Sequence, residues 1–146
     1  MANYSTTNDL LPYRPDIINY DNSNFAIYHT QAKTDIDRRI EMDWYRQEAE
    51  NRDIDWTETA FDADLMLNAS TQLKQAAIYL ALYYIYAGLT IKVDDYFQSM
   101  RNYYEQKYEN EISLALSRGI DYDWDESGTI EADETADTAR RRLYRG

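Results

Sequence analysis

The sequence predicts a mainly α-helical protein: a small bundle of three long helices plus short helices, with a C-terminal β-hairpin or loop and an extended arm. Apolar residues recur at spacings of three and four in three long stretches. The 146 residues include only four glycines and two prolines, whereas an all-β fold needs turn residues about every 8–12 positions. The length fits a chain with one main core. We assign residues 1–119 to a helical bundle domain and residues 120–146 to a C-terminal hairpin or loop and basic docking arm.

The central helix, predicted from Ser70 to Thr90, organises the rest of the bundle. No residue between Ala76 and Leu89 is charged, and the segment is apolar most of the way round. Such a helix is either buried in a bundle or spans a membrane. Spanning takes about 20 apolar residues, but this run is shorter and contains four tyrosines. Their hydroxyl groups need hydrogen-bond partners that hydrocarbon lacks, so we expect burial within protein.

Two helices are predicted before the central one. A short helix at residues 9–11, capped by Thr7 or Asn8, is stopped by the proline that follows. The first long helix runs from Phe25 to about Glu50, where apolar side chains repeat every third or fourth residue. Its apolar stripe comprises Phe25, Tyr28, Ala32, Ile36, Ile40 and Trp44.

Residues 51–69 break this periodicity, and we predict an extended stretch at residues 53–57 followed by one helical turn that contains Phe61, Leu65 and Met66. Asp94 or Asp95 caps the third long helix, and Gly119 is placed as the residue that terminates it. Beyond Gly119, apolar and acidic residues alternate as far as residue 125, which indicates a β-hairpin or a metal-binding loop. The apolar stripe of the third helix comprises Phe97, Met100, Tyr104, Tyr108, Ile112 and Ala115.

The charge is strongly negative and unevenly distributed. The whole chain carries −12; residues 1–139 contain 11 basic and 27 acidic side chains, a net charge of −16, and the last seven residues carry +4. An acidic body repels DNA, since duplex binding depends on cations that displace counterions from phosphate. A basic end on an acidic body instead suggests docking on an acidic surface. The candidate docking residues are Arg140, Arg141, Arg142, Leu143, Tyr144 and Arg145.

Leu143 and Tyr144 would anchor this arm, because aromatic and arginine side chains dominate many interfaces. The alternatives are a nucleic-acid-binding patch and a solvated terminus. The N-terminus lacks a basic region followed by an apolar core, so we expect no signal peptide, no membrane segment and a soluble protein. The absence of cysteine excludes disulfides and thiolate metal sites.

The stretch from Asp123 to Glu134 has the spacing of an EF-hand calcium loop, in which oxygen ligands surround the ion and a glycine allows the sharp turn. Aspartate, serine and glycine also favour turns without any metal, and Gly119 ends the preceding helix too early for a standard EF-hand. An EF-hand-like calcium-binding interaction module is therefore the alternative function, and no cofactor other than Ca²⁺ is expected. The candidate ligands are Asp123, Asp125, Ser127, Thr129 and Glu134.

No set of residues in the sequence forms an active site. His29 is the only histidine, and neither a nucleophile nor a second metal-binding histidine can be assigned to it. We interpret it as a partly buried, hydrogen-bonded side chain. The four glycines are isolated, so no phosphate-binding loop is present. We expect no enzymatic activity and assign no catalytic residue.

Several segments together resemble the head–tail connector adaptors, or head-completion proteins, of tailed bacteriophages. The resemblance is one of overall pattern and covers most of the chain. The segments are Asp9-Leu-Leu-Pro-Tyr-Arg-Pro15, Phe25-x-x-Tyr28-His29, Ala32-x-x-Asp35-Ile36-x-Arg38, Phe61-Asp62 with Leu65, Gln72-Leu-Lys-Gln-Ala-Ala-Ile-Tyr79, Tyr104-x-x-x-Tyr108-Glu109, Gly119-Ile-Asp-Tyr-Asp123 and the short basic end.

The resemblance implies a structural virion protein at the head–tail interface, assembled in the cytoplasm of a bacterial host. About twelve copies would form a ring under the portal protein, with the arm reaching the portal and a tail or stopper protein on the other side. Packaged DNA would pass through an acidic channel without specific binding. A third hypothesis, an acidic mimic of DNA, depends on the charge alone. The candidate subunit-contact residues are Tyr83, Tyr86, Tyr96 and Tyr103.

Overall fold

The computed structural model describes residues 3–19, 25–89 and 95–130, and over these ranges the protein is mainly helical and contains no β-strand. The three long helices predicted from the sequence are present. A π-helical turn at Glu41–Tyr45 joins the second and third α-helices without a break, and two 3₁₀ turns lie at Pro15–Asn19 and Ala63–Leu65. The α-helices are α1 (Thr7–Leu10), α2 (Ala26–Ile40), α3 (Arg46–Asn51), α4 (Ala69–Gln72), α5 (Lys74–Leu89) and α6 (Asp95–Arg118).

The first long helix of the prediction corresponds to α2, the π turn and α3 in succession. The predicted stripe is buried except at Tyr28, which is half-buried. In the π turn the Arg46 N–H donates to the carbonyl of Glu41, five residues earlier. This wider turn places two consecutive aromatic side chains, Trp44 and Tyr45, in the core.

Helix α5 is the most buried of the long helices and packs against both α2 and α6. Eight of its residues are buried, including Ala81 and Leu82, which confirms the predicted burial of the charge-free segment. The helix starts later than predicted, because the helical structure is interrupted at Leu73, between α4 and α5. The Leu73 side chain at this interruption is fully buried. Within the described ranges, no helix combines the length and apolar character needed to cross a membrane.

Helix α6 ends where the sequence predicts. Gly119 has φ +89°, a conformation that costs glycine little, and its N–H donates to the carbonyl of Ala115. Gln72 closes this end of the helix: its amide donates to the Gly119 carbonyl and its side-chain oxygen accepts the N–H of Asp121, at 3.2 and 2.9 Å. The helix starts at Asp95, and Asp94 lies outside the described residues.

Two local predictions were wrong. Helix α1 is capped by Thr6 rather than by Thr7 or Asn8, because Asp9 then lies at the third helical position and accepts the Thr6 N–H at 2.8 Å. Residues 53–57 do not form a continuous extended stretch. Asp53 and residues 56–57 lie in turns, and Asp55 accepts the N–H and hydroxyl of Thr57.

The described part of the C-terminal segment, residues 120–130, packs onto the helices as a loop. Ile120 and Tyr122 are buried in the same core as Trp44 and Tyr45. Residues 120–130 follow turns and form no hairpin strands. The sequence left open a hairpin or a loop after Gly119, and the described residues of this segment form a loop.

Candidate interaction surfaces

The four candidate tyrosines occupy different environments. Tyr86 is fully buried, its ring stacked on that of Tyr104 with centroids 5.9 Å apart and 9° between the planes. Burial raises the pKa of the Tyr86 phenol. The prediction that Tyr86 contributes to subunit contacts was wrong, since its side chain is part of the core. Tyr83 is half-buried, and Tyr96 and Tyr103 are 42% and 46% exposed.

Three exposed apolar side chains, Tyr96, Tyr103 and Leu114, line one side of α6, and we call them the α6 ridge. They are two and three helical turns apart and therefore share one face of the helix. Lys107, one turn beyond Tyr103, places its ammonium group 5.4 Å from the centre of the Tyr103 ring. The ridge thus combines an apolar line with one cation.

A groove of about 340 Å³ lies where α2, α5 and α6 meet, and we call it the α2 groove. Met42 on its wall is 55% exposed, and the Tyr84 hydroxyl in it donates to the carboxylate of Asp35. The groove is therefore partly apolar and carries charged groups of both signs. It is lined by Asp35, Arg38, Arg39, Met42, Asp43, Leu80, Tyr84 and Tyr108.

The two arginines of the groove differ in their pairing. Arg39 donates to Glu109 at 2.8 Å and to Asp43 at 3.3 Å, and the hydrogen bond that it donates to Glu109 raises the pKa of the Arg39 guanidinium. Arg38 has one long contact, 4.0 Å to Asp35, and its side chain is 69% exposed. Arg38 is therefore the arginine that is available to a partner.

An aromatic cluster, not predicted from the sequence, joins the C-terminal loop to the end of the first long helix. Trp124 stacks on Tyr45 with 5.4 Å between ring centroids, and Phe61 stacks on Tyr122 at 5.7 Å. The Tyr122 hydroxyl accepts the backbone N–H of Asp62 at 3.0 Å, and burial raises the pKa of Tyr122 to about 12. This cluster holds the start of the C-terminal segment in place.

The predicted calcium loop is partly described. Asp123 is buried, and its carboxylate accepts the N–H groups of Ser127 and Gly128 at 3.1 and 2.8 Å. Asp125 also accepts the Ser127 N–H, at 3.1 Å, and the Ser127 hydroxyl donates to the Thr129 carbonyl. Among the residues with described positions, no group of three or more histidine or acidic side chains is arranged to hold a metal. Glu134 lies outside them.

His29 is buried, and one ring nitrogen lies 2.7 Å from the Ser5 hydroxyl and the other 3.4 Å from that of Thr7. Burial lowers the pKa of the imidazole. The side chain therefore fixes the N-terminal segment to α2, in agreement with its interpretation as a hydrogen-bonded core residue.

Residues 53–64 form an acidic stretch that contains five exposed carboxylates and no basic residue. Asp125 and Glu126 on the C-terminal loop are also exposed. The arm, Arg140–Arg145, lies outside the described residues. The five carboxylates are Asp53, Asp55, Glu58, Asp62 and Asp64.

The chain was compared with known protein families, curated proteins and solved structures. No family, curated protein or solved structure matches it. Its surfaces therefore provide the basis for a functional proposal.

Proposed function

We propose that this protein is a structural virion component, a ring-forming adaptor that joins a phage portal to the tail or to the next connector ring and lines the DNA channel. The observation that carries the proposal is the presence of two different exposed surfaces, the α6 ridge and the α2 groove, on a single subunit. A closed head-to-tail ring requires two such surfaces, one for each neighbour. An active site is not part of this function.

The charge supports the same proposal. Exposed carboxylates in residues 53–64 would repel the phosphates of DNA passing through a channel, so that the DNA slides without binding. The basic arm, Arg140–Arg145, would dock on the portal, where many weak contacts around a ring add to a stable attachment.

The experiment that tests this function measures particle mass by sedimentation and electron microscopy, with and without the portal protein encoded in the same genome. We expect a ring that attaches to the portal. Deletion of Arg140–Gly146 should abolish attachment while the helix content measured by circular dichroism stays unchanged. A chain that remains monomeric at high concentration and does not bind the portal contradicts the proposal.

A calcium-responsive module is the second candidate. It is favoured by the carboxylates of Asp123 and Asp125, which accept backbone N–H groups of the loop and thereby gather oxygen ligands in one short segment. In an EF-hand loop the oxygen ligands come from one short segment that is closed by a bidentate glutamate, here Glu134. Titration calorimetry with Ca²⁺ tests it: Glu134→Gln should abolish binding, and Glu131→Gln should leave it intact. No heat of binding in the unmodified protein, or equal binding by both variants, rejects the assignment.

A further inference from the structure

We infer that Tyr103 of one copy inserts into the α2 groove of the next copy, so that the α6 ridge packs along the outer face of α2. The inference rests on the proposed ring-forming function and identifies the two surfaces that would meet. It assigns the groove to a second copy of this chain.

Exposed apolar side chains support this pairing. Of the seven large apolar or aromatic side chains that are exposed in the described ranges, five lie on α6, on α2 or on the π turn that continues α2. Ile27 on α2 and Met42 on the π turn lie on the side opposite the buried stripe, with exposed Arg38 between them. The five residues are Ile27, Met42, Tyr96, Tyr103 and Leu114.

The line of exposed side chains from Ile27 to Met42 and the α6 ridge have similar lengths. At about 1.5 Å per residue, Ile27 to Met42 spans about 22 Å and Tyr96 to Leu114 about 27 Å. Two helices can therefore pack side by side over nearly the whole of both lines. Tyr103 lies in the middle part of the ridge, and a groove of about 340 Å³ is large enough for its ring. A buried aromatic anchor of this kind is typical of interface hot spots.

The charges are complementary in this arrangement. Lys107, beside Tyr103, would meet the carboxylates of Asp35 and Asp43 at the groove. In return, Arg38 would meet Glu111, which is partly exposed beside the ridge. Such matching of opposite charges selects the correct partner and register more than it adds affinity.

The charges also disfavour the simplest alternative, a symmetric dimer in which two α6 ridges face each other. That contact would place the Lys107 ammonium groups of both copies near the same axis, and like charges at an interface are unfavourable. It would also leave the α2 groove empty. Because α2 and α6 are both packed on α5, a subunit cannot place its own ridge in its own groove, so the head-to-tail contact requires another copy.

A single contact of this type is weak. A helix contact about 25 Å long and about 10 Å wide covers roughly a third of the 800 Å² or so that each partner contributes to a standard interface. Association should therefore depend on concentration, and ring closure or attachment to a template would stabilise it, since every copy then uses both surfaces.

Disulfide cross-linking tests the pairing cleanly, because the natural chain contains no cysteine. The variants Met42→Cys and Tyr103→Cys are prepared separately, mixed at a concentration high enough to offset the severalfold loss of association expected when Tyr103 is replaced, and oxidised. A disulfide requires Cα atoms within about 7 Å, so we expect the mixed 42–103 dimer to exceed the mixed dimer of the control pair by about tenfold. The control pair is Leu67→Cys with Tyr103→Cys; Leu67 is 39% exposed but lies on neither surface.

A Tyr103–Tyr103 cross-link as the main product, or equal yields for the test and control pairs, overturns the inference. All three sites are exposed, so the variants should keep the circular dichroism spectrum of the unmodified protein. In a chain carrying both Met42→Cys and Tyr103→Cys, the covalent products should form a ladder that ends at the number of subunits in the ring.

The mass of the unmodified particle separates this inference from the proposed function. Rings without preferential 42–103 cross-linking mean that the ring function stands and the assigned contact is wrong. Preferential cross-linking without rings, even when the portal is present, means that the contact exists and the ring function is wrong. Neither rings nor preferential cross-linking rejects both.

Discussion

Arg39 on α2 and Glu109 on α6 form an ion pair with 2.8 Å between Nη1 and Oε1, although both helices also pack on α5. The Arg39 guanidinium lies 5.8 Å from the centre of the Tyr108 ring, at the edge of the α2 groove. The pair therefore links the helix that carries the groove to the helix that carries the ridge. Together with the packing of both helices on α5, it connects the two surfaces within a subunit.

Glu109→Gln should reduce the free energy of unfolding by less than about 1 kcal/mol, because both partners are partly exposed and solvent screens the pair. Glu105→Gln, on the exposed face one turn earlier, is the matched control. Urea unfolding measures both. A loss above about 2 kcal/mol for Glu109→Gln would mean that the pair is far less screened than its exposure indicates.

The central helix should tolerate truncation poorly. Leu82 is fully buried in α5, so Leu82→Ala removes buried apolar surface and leaves a cavity, with an expected loss of about 2–5 kcal/mol in the free energy of unfolding. Leu114→Ala makes the same chemical change at an exposed helical site and should cost less than about 1 kcal/mol. Thermal and urea unfolding compare them, and equal losses would argue against α5 as the centre of the core.

Tyr86 and Tyr103 should give opposite phenotypes. Tyr86→Ala empties a core position stacked on Tyr104 and is expected to cost about 3–5 kcal/mol of stability. Tyr103→Ala should leave the melting temperature nearly unchanged but weaken self-association severalfold, as measured by sedimentation across a concentration series. A Tyr103→Ala protein that unfolds early while associating normally would place Tyr103 in the core instead of at an interface.

His29 should make stability depend on pH. Burial lowers its pKa in the folded state, while the nearby Asp9 carboxylate acts in the opposite direction. The unfolded chain therefore binds the proton more readily. The contribution of the neutral imidazole is complete above about pH 6.5, the pKa of an unperturbed histidine, and is lost as the pH falls through the lowered folded-state pKa.

The variant His29→Asn keeps a polar side chain near Ser5 but does not titrate. Urea unfolding at about pH 7.5 and about pH 5.5 should show a larger loss of stability in the unmodified protein than in His29→Asn. Equal losses would assign the pH dependence to other groups.

The three long helices were predictable because their apolar residues repeat with the period of the α-helix, and burial follows that repeat. Helix α5 shows the limit of this reasoning. Three tyrosines of α5, Tyr83, Tyr84 and Tyr86, fall within one stretch of four residues. This part of the helix is apolar on nearly all sides, so periodicity does not distinguish buried Tyr86 from its two half-buried neighbours. Only packing against Tyr104 identifies Tyr86 as buried.

The α2 groove and the aromatic cluster depend on residues that are distant in the sequence. The groove combines side chains from three helices, as Arg38, Tyr84 and Tyr108 illustrate. The cluster includes Phe61, from a stretch with no helical or strand period, and Trp124, from the C-terminal loop. A single sequence carries no local signal for such contacts.

The π turn at Glu41–Tyr45 contains the equivalent of one inserted residue, since its hydrogen bonds reach back five positions instead of four. Deleting the exposed Asp43 would return this turn to ordinary α-helical pitch, and the helices on either side would keep their faces because the turn absorbs the extra residue. Consecutive side chains in an α-helix lie about 100° apart, so Trp44 and Tyr45 could then not both stay in the core. Met42 would also shift on the groove wall, so a chain shortened by this one residue should remain helical yet no longer fit unshortened copies as neighbours.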